Sequence, residues 1–426
     1  MNDRNKIREI WTIARIYTRS LGKWTVVSVV TGALCGLIGS LFHVGVEYAT
    51  ELRTALPWLI WCLPLAGLII VGLYRLCGAD GLSTDSIIEA VQAGRGVSAG
   101  LIPAIFLSTI LTHLCGGSVG REGAALQMGG TIGYQAARLL RLDDRDRRTT
   151  TTIGMAAFFS ALFGTPVAAT VFALSVINVG RIYYAALFPS LIAALSAYGV
   201  SLMLHVEPTA FRVTVPEASL GMFLRVIVLA VACALLSVAF CETIHGMSRL
   251  MKRVIGNPWL RAVVGGAALI LLTLLCGTRD YNGAGMDVIT AAVERGEVRP
   301  EAFALKLLFT ALTLAAGYKG GEVVPSFFVG AAFGCFAGPL LGIPAPFAAA
   351  VCLIGLFCGT VNCPLASTFL AIELYGAEGL HFYALTCSLC FVLSGYSGIY
   401  SSQRILNDKL KARYIDVRTN DGYVGS

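Results

Sequence analysis

The chain has 426 residues, of which 56% are hydrophobic and only 13% charged. Soluble domains of this size carry roughly a quarter charged residues, so the composition excludes an ordinary soluble enzyme. The formal charge of +7 does not point to nucleic acid, because the basic residues flank apolar stretches instead of forming a basic face with interleaved aromatics; attraction to an anionic inner leaflet explains them better.

In chain order, Arg4, Lys6, Arg8, Arg15, Arg19 and Lys23 precede a nearly uncharged stretch from Trp24 to Glu47. With no small-residue cleavage site after it, this stretch reads as an uncleaved membrane span with a cytoplasmic N-terminus. Similar stretches run from Pro57 to Tyr74, Leu101 to Cys115, Thr149 to Gly180 and Phe347 to Leu370, and hydrocarbon is crossed by about 20 apolar residues per helix. Further basic clusters lie at Arg138 to Arg148, at Arg249, Lys252 and Arg253, and in the tail at Arg404, Lys409, Lys411, Arg413 and Arg418. They place the C-terminus in the cytoplasm as well. The 13 cysteines fall mostly in apolar segments, where cysteine behaves as a small hydrophobe. Cys387 and Cys390 read as packing residues in an apolar helix, not as a metal or redox pair. The 5 histidines (His43, His113, His205, His245, His381) are scattered without ligand spacing and read as packing or interfacial residues. No metal site and no cofactor is implied.

Sliding the chain against itself reveals two copies offset by about 200 residues. Asp85-Ser-Ile-Ile-Glu-Ala-Val, running on to Gly94, matches Asp287-Val-Ile-Thr-Ala-Ala-Val and Gly296. Thr109-Ile-Leu-Thr matches Thr310-Ala-Leu-Thr, Gly120-Arg-Glu122 faces Gly320-Gly-Glu322, and Gly130 faces Gly330. Thr165-Pro-Val-Ala-Ala-Thr resembles Cys363-Pro-Leu-Ala-Ser-Thr, and upstream Cys35, Leu37 and Phe42 parallel Cys233, Leu235 and Phe240. Internal duplication in a membrane protein points to a transporter or channel with its substrate site between the repeats.

Several apolar segments are cut by Gly or Pro, at Gly116 to Gly120, Gly317 to Gly321, Gly164-Thr-Pro166 and Asn362-Cys-Pro364. Helices that start at such breaks aim unpaired N–H groups and a positive dipole end at a cavity, which is an anion site made of backbone. Glu122 stands at one such start. As a first-turn carboxylate it could merely complement the dipole; at membrane depth its cost makes function the default. A carboxylate held at an anion site occupies the anion's place and leaves when protonated, which links proton binding to anion movement. Glu322 is a second acid at the matching break, with a salt bridge to Lys319 or Lys306 as its bland alternative.

Gly-Arg-Glu-Gly in a duplicated, broken-helix membrane protein resembles the CLC channels and antiporters, over nearly the whole chain from Trp24 to Arg418. Gly81-Leu-Ser-Thr-Asp85 sits where that family's first anion loop lies, Gly320 to Pro325 where its third lies, and Gly398-Ile-Tyr400 where its pore tyrosine lies. The resemblance implies an all-α multi-pass CLC-type fold of two inverted repeats with broken, tilted helices, a homodimer and one pore per subunit. It assigns gating and proton coupling to Glu122 and Glu322, and anion binding to Leu82, Ser83, Gly120, Arg121, Gly123, Ala124, Val323, Val324 and Tyr400, with either Leu82 or Ser83 at the pore serine. Arg121 reads first as a structural partner for an acid that holds the loop, and second as an anion contact.

Departures from the chloride pattern choose the ion. The third loop carries Glu322, and Glu-Val-x-Pro looks like the fluoride-exporting branch, as does Asn362-Cys-Pro-Leu-Ala-Ser-Thr followed by Ile-Glu-Leu374. The branch has a threonine two places after the third-loop glutamate, where this chain has Val324. The intracellular proton-transfer glutamate of chloride antiporters falls near Ser175 or Val176, where no acid stands, so Glu122 and Glu322 are the available acidic pair. The expected function is fluoride/proton antiport exporting fluoride, with a chloride channel or chloride/proton exchanger of the same family as alternative. An embedded enzyme would need a nucleophile or metal ligands, and no HExxH or GxSxG motif is present. An inactive structural protein is the remaining rival. The expected organisation is a cytoplasmic segment over 1–22, repeats over 23–206 and 207–400, and a cytoplasmic helix and tail over 401–426. Fluoride or chloride, protons, the lipid membrane and a second copy of the chain are the expected partners.

Overall fold

The computed structural model describes residues 3–411 and 413–421, and among these it builds 16 α-helices and three short strands. Six helices are long and apolar enough to cross a membrane, and shorter apolar helices lie between them. The first repeat contributes α1 (Asp3–Ala55), α2 (Leu63–Leu76), α3 (Thr84–Ala93), α4 (Leu101–Cys115), α5 (Glu122–Leu139), α6 (Asp144–Phe163), α7 (Pro166–Ser175) and α8 (Leu187–Met203). The second contributes α9 (Leu220–Val254), α10 (Pro258–Cys276), α11 (Met286–Thr290), α12 (Ala302–Ala316), α13 (Val323–Leu340), α14 (Ala345–Val361), α15 (Pro364–Tyr375) and α16 (Leu380–Leu393). A single π-helical turn, Ala291–Arg295, extends α11.

The breaks fall where the chain chemistry demands them. Gly116 and Gly317 end α4 and α12 with φ of 89° and 103°, a backbone state open to glycine and strained for other residues. Asn362 ends α14 at φ 57°, and Pro166 and Pro364 occupy the first turns of α7 and α15, where a missing N–H costs nothing. At the membrane edge, the Asp143 carboxylate accepts from the Asp146 N–H and caps α6; that bond holds its carboxyl below the usual aspartate range.

Helix packing repeats from one half to the other. Within each half the first helix packs on the last, α1 on α8 and α9 on α16, and α5–α6 is matched by α13–α14. Between the halves each of the main contacts joins a helix to its own counterpart: α2 to α10, α7 to α15, α5 to α13. Self-pairing of this kind is the signature of a pseudo-two-fold axis running between the repeats. Small residues let the helices approach closely: a Cβ on Gly129 would lie 2.3 Å from the Gly154 carbonyl, and one on Gly334 2.2 Å from the Ala348 carbonyl. Close backbone contact of this kind is what drives association where lipid removes the hydrophobic difference between helix faces.

α1 runs unbroken from Asp3 to Ala55, through Gly22. One expectation is corrected. Among the described residues the tail forms no helix: β2 (Arg404–Asn407) pairs in parallel with β1 (Asn178–Val179) and antiparallel with β3 (Tyr414–Arg418). The β-branched Ile415 and Val417 alternating with Asp416 and Arg418 favour a strand, and Arg404 closes an ion pair with Asp416 at 2.7 Å.

Candidate anion site

The site is built from the two glycine breaks. Their chains run antiparallel and exchange backbone bonds: the Gly120 N–H donates to the Gly321 carbonyl at 2.7 Å and the Gly321 N–H to the Gly120 carbonyl at 2.8 Å. A reciprocal swap flanks them, since the Ser118 N–H donates to Thr313 Oγ1 at 3.1 Å and the Lys319 N–H to Thr112 Oγ1 at 3.3 Å. These bonds satisfy part of the irregular backbone internally, as membrane depth requires. They also bring the N-termini of α5 and α13 together.

Glu122 opens α5 and is fully buried. Its Oε2 accepts from the Arg121 N–H at 3.0 Å and, across the repeats, from the Val324 N–H at 3.2 Å. Oε1 has no hydrogen-bond partner among the described residues. A Cβ on Gly120 would lie 2.3 Å from Oε2, so only glycine there leaves room for the carboxylate. Gly123 and Ala124 follow in the first turn of α5, and Val323 and Val324 form the first turn of α13, all buried.

Arg121 precedes the carboxylate and turns its side chain away from it, donating to His43 Nδ1 at 2.6 Å. His43 Nε2 in turn meets Glu47 Oε1 at 2.7 Å. An arginine can only donate, so the imidazole must carry its hydrogen on Nε2 and hand it to Glu47. Glu47, Arg53, Arg121, Glu122, Asp287 and Val324 line a cavity of about 570 Å³ that reaches Glu122 from the end of α1 remote from the N-terminus.

Glu322 is the N-cap of α13 and keeps accessible surface, whereas Glu122 has none. Its Oε2 comes within 3.3 Å of where a Cβ on Gly123 would stand. Among the described residues it forms no salt bridge. Lys306 instead donates to the Tyr281 and Gly283 carbonyls at 3.2 and 2.6 Å, and Lys319 lies 4.1 Å over the Tyr74 ring. The bland alternative for Glu322 therefore fails on geometry: Lys306 is held by a loop, and Lys319 reaches the acid only through the field.

Tyr400 is 2% exposed, with a hydroxyl that has no hydrogen-bond partner among the described residues. It lies within electrostatic reach of Glu322, Glu122, Asp85 and the Cys363 cap of α15. Its segment is fastened on several sides: Ile399 N–H to the Thr360 carbonyl at 2.9 Å, His245 Nε2 to the Gly398 carbonyl at 2.9 Å, and Gln403 Nε2 to the Val176 and Val361 carbonyls, both at 2.9 Å.

The first loop meets the start of α5 through Thr84. Leu82 packs against the core and Ser83 caps α3 with Ser86; among the described residues neither hydrogen-bonds to the α5 or α13 break. Thr84 makes that contact, with Oγ1 accepting from Gln127 Nε2 at 3.2 Å and lying 3.5 Å from the Gly123 carbonyl. His43, Thr84 and Asp85 were absent from the sequence-derived site. The spacing of His43 and Glu47, one turn apart on an apolar helix, was the signal for the first; the repetition of Asp85 as Asp287 was the signal for the last.

Comparisons with known proteins agree with this geometry. The sequence pattern of the family described as voltage gated chloride channel matches residues 66–395. A chloride/fluoride channel protein of Pseudomonas syringae pv. tomato is 32% identical over 398 residues, covering 91% of this chain and 88% of the relative. An H(+)/Cl(-) exchange transporter ClcA of Vibrio vulnificus is 25% identical over 435 residues, with 91% of each chain covered. The crystal structure of a CLC-type fluoride/proton antiporter superposes with a TM-score of 0.86 at 32% identity, covering 90% of this chain and 98% of that one. A slow cyanobacterial Cl-/H+ antiporter shares the fold alone, with a TM-score of 0.72 at 17% identity over 87% of this chain and 94% of the other.

Proposed function

The chain belongs to the voltage gated chloride channel family, and from that premise we propose that it exports fluoride in exchange for protons. The observation that carries the reading is the Val324 N–H held by Glu122 Oε2. The carboxylate oxygen stands in for a transported anion: it occupies an amide donor of the opposite repeat's helix, in a place stripped of water. An arriving anion competes for that donor. Protonation removes the charge that holds the side chain there, so the gate swings away carrying a proton as the anion takes its position. Competition between one carboxylate and one anion for the same amides couples the two flows without any covalent step.

The ion follows from the donors. Fluoride is small and strongly hydrated, and giving up its water requires several close N–H and O–H groups. The first-turn amides of α5 and α13 and the unpartnered Tyr400 hydroxyl supply them, and relatives that bear fluoride in their names share about a third of the sequence. Glu122 acts as gate and proton acceptor, with Glu322 and Tyr400 shaping the centre. Gly120, Arg121, Gly123, Ala124 and Val323 frame it, and Ser83 or Leu82 lies at its inner rim. Val324 favours a second reading, chloride transport, because a valine replaces a hydroxyl donor beside the gate. We further read the working unit as a homodimer in the cell membrane, with a pore in each subunit and both termini cytoplasmic.

The test is an outward fluoride gradient imposed on proteoliposomes with a pH electrode outside. Antiport takes protons up from the medium as fluoride leaves; an unchanged pH removes the coupling. Repeating the measurement with chloride decides the ion, since faster chloride flux selects the second reading.

A further inference from the structure

Glu322 must exchange its proton with the solution on the side away from the vestibule, and the position near Ser175 carries no acid for that step. A line of polar groups on one face of α3 offers another route. Asp85, Glu89 and Gln92 stand at helical spacing, and all three bind Ser402: Asp85 Oδ1 accepts the Ser402 N–H at 2.7 Å, Glu89 Oε1 accepts the Ser402 hydroxyl at 3.0 Å, and Gln92 Nε2 donates to the Ser402 carbonyl at 2.9 Å. Ser402 lies two residues after Tyr400. The acid face of α3 is thereby pinned beneath the pore tyrosine.

We propose that Asp85 is the inner proton-transfer acid, connecting Glu322 to the cytoplasmic solution through Glu89. Three observations carry this, and it rests on the antiport reading above. First, Asp85 is the repeat counterpart of Asp287, which lines the outer vestibule; the inverted relation of the repeats puts Asp85 at the opposite, inner mouth. Second, Asp85 is half-buried and within electrostatic reach of both Glu322 and Tyr400. Third, Glu89 one turn further on is 28% exposed and pairs with Arg95, itself 73% exposed, at 2.9 Å, so the line ends in solvent. His245 on α9 also lies within electrostatic reach of Asp85, and from α6, which packs on α3, Arg148 donates to the Gln92 carbonyl at 3.2 Å.

The step balances simply. A proton arriving from Glu122 on Glu322 passes to the Asp85 carboxylate; the acid so formed releases it to water by way of Glu89, and both groups return to carboxylates. No bond other than O–H forms or breaks.

The test compares Asp85→Asn and Asp85→Glu with the wild-type protein in proteoliposomes, reading fluoride and proton movement together across a series of internal pH values. Asn keeps an acceptor for the Ser402 N–H, so the latch remains while titration is lost. Proton movement falls at least about tenfold, its dependence on internal pH disappears, and Asp85→Glu restores both. A merely structural role predicts equal loss of both ions at every internal pH and overturns the proposal, as does proton movement by Asp85→Asn within a factor of about two of wild type. Should the amide variant fail to reconstitute, Asp85→Ser, a shorter neutral acceptor, takes its place with the same criteria. Absence of proton movement in the wild-type protein overturns the antiport reading and this inference with it, which separates the two failures.

Discussion

The two glycine breaks share a sequence pattern and a pseudo-two-fold axis, yet their acids live in different surroundings. Glu122 is sealed, with one oxygen on amides from both repeats and the other unpartnered. Glu322 caps the matching helix, keeps accessible surface and has no ion-pair partner among the described residues. Duplication supplied the same acid twice, and asymmetry in what surrounds each copy suits one to the gating and the other to the central role proposed above. A second asymmetry lies at the α7–α15 pair. Glu373 near the end of α15 accepts the Val167 and Ala168 N–H groups at 3.0 and 2.8 Å and closes the start of α7. Its counterpart at the end of α7 is Ser175, which bonds back to the Val171 carbonyl at 2.6 Å and brings no charge to the start of α15. The positive end of α15 therefore stays open toward Tyr400, while that of α7 is neutralised.

The sharpest way to break this comparison is to equalise the acids. Glu122→Gln is expected to abolish proton movement and leave fluoride moving passively, measured by electrode in proteoliposomes; coupled exchange at the wild-type rate would show that the sealed acid is no gate. Next in size, Gly120→Ala pushes a methyl group onto Oε2, and displacement of a reacting group by about 1 Å costs on the order of 100-fold. Flux should fall by that order while the purified protein remains folded by circular dichroism. Tyr400→Phe removes one hydroxyl donor to a charged ligand, worth about 1.5–3 kcal/mol; fluoride binding by calorimetry should weaken by roughly tenfold or more. The smallest effect on flux belongs to the second asymmetry: Glu373→Gln keeps an acceptor for one of the two α7 N–H groups but turns an NH2 donor toward the other, losing a hydrogen bond to a charged group along with the charge–dipole attraction, about 1.5–3 kcal/mol of stability. A small drop in melting temperature with fluoride flux retained is the expected result, and loss of flux would place Glu373 in the pathway.

Much of this architecture was legible because the breaks are written in Gly and Pro. Gly116, Gly164, Gly317 and Asn362 end helices, Pro166 and Pro364 restart them, and the ordered matches between halves foretold the paired helix contacts. The buried acid at the start of α5 was legible as well, since Glu122 is a lone carboxylate at a glycine break inside an apolar stretch. What escaped depends on contacts between residues far apart in the chain. Asp85 acquires meaning only when Ser402 folds onto it, and Lys306 was a plausible partner for Glu322 until the 281–283 loop captured its ammonium. The tail was expected to hold a helix, whereas the edge of β1, contributed by the first repeat, templates a strand.

That short parallel pairing has a consequence for biogenesis. β1 ends at Val179 and its partner β2 begins at Arg404, with Tyr400 and Ser402 carried on the segment just before it. Chains emerge from the ribosome amino-terminus first, so the stitch that seats the tyrosine can be made only after both repeats have been synthesised. A polypeptide released early would insert its spans and leave the inner mouth unfinished. The seating of Tyr400 is thus a late event of assembly, one that waits for the second repeat to reach the first.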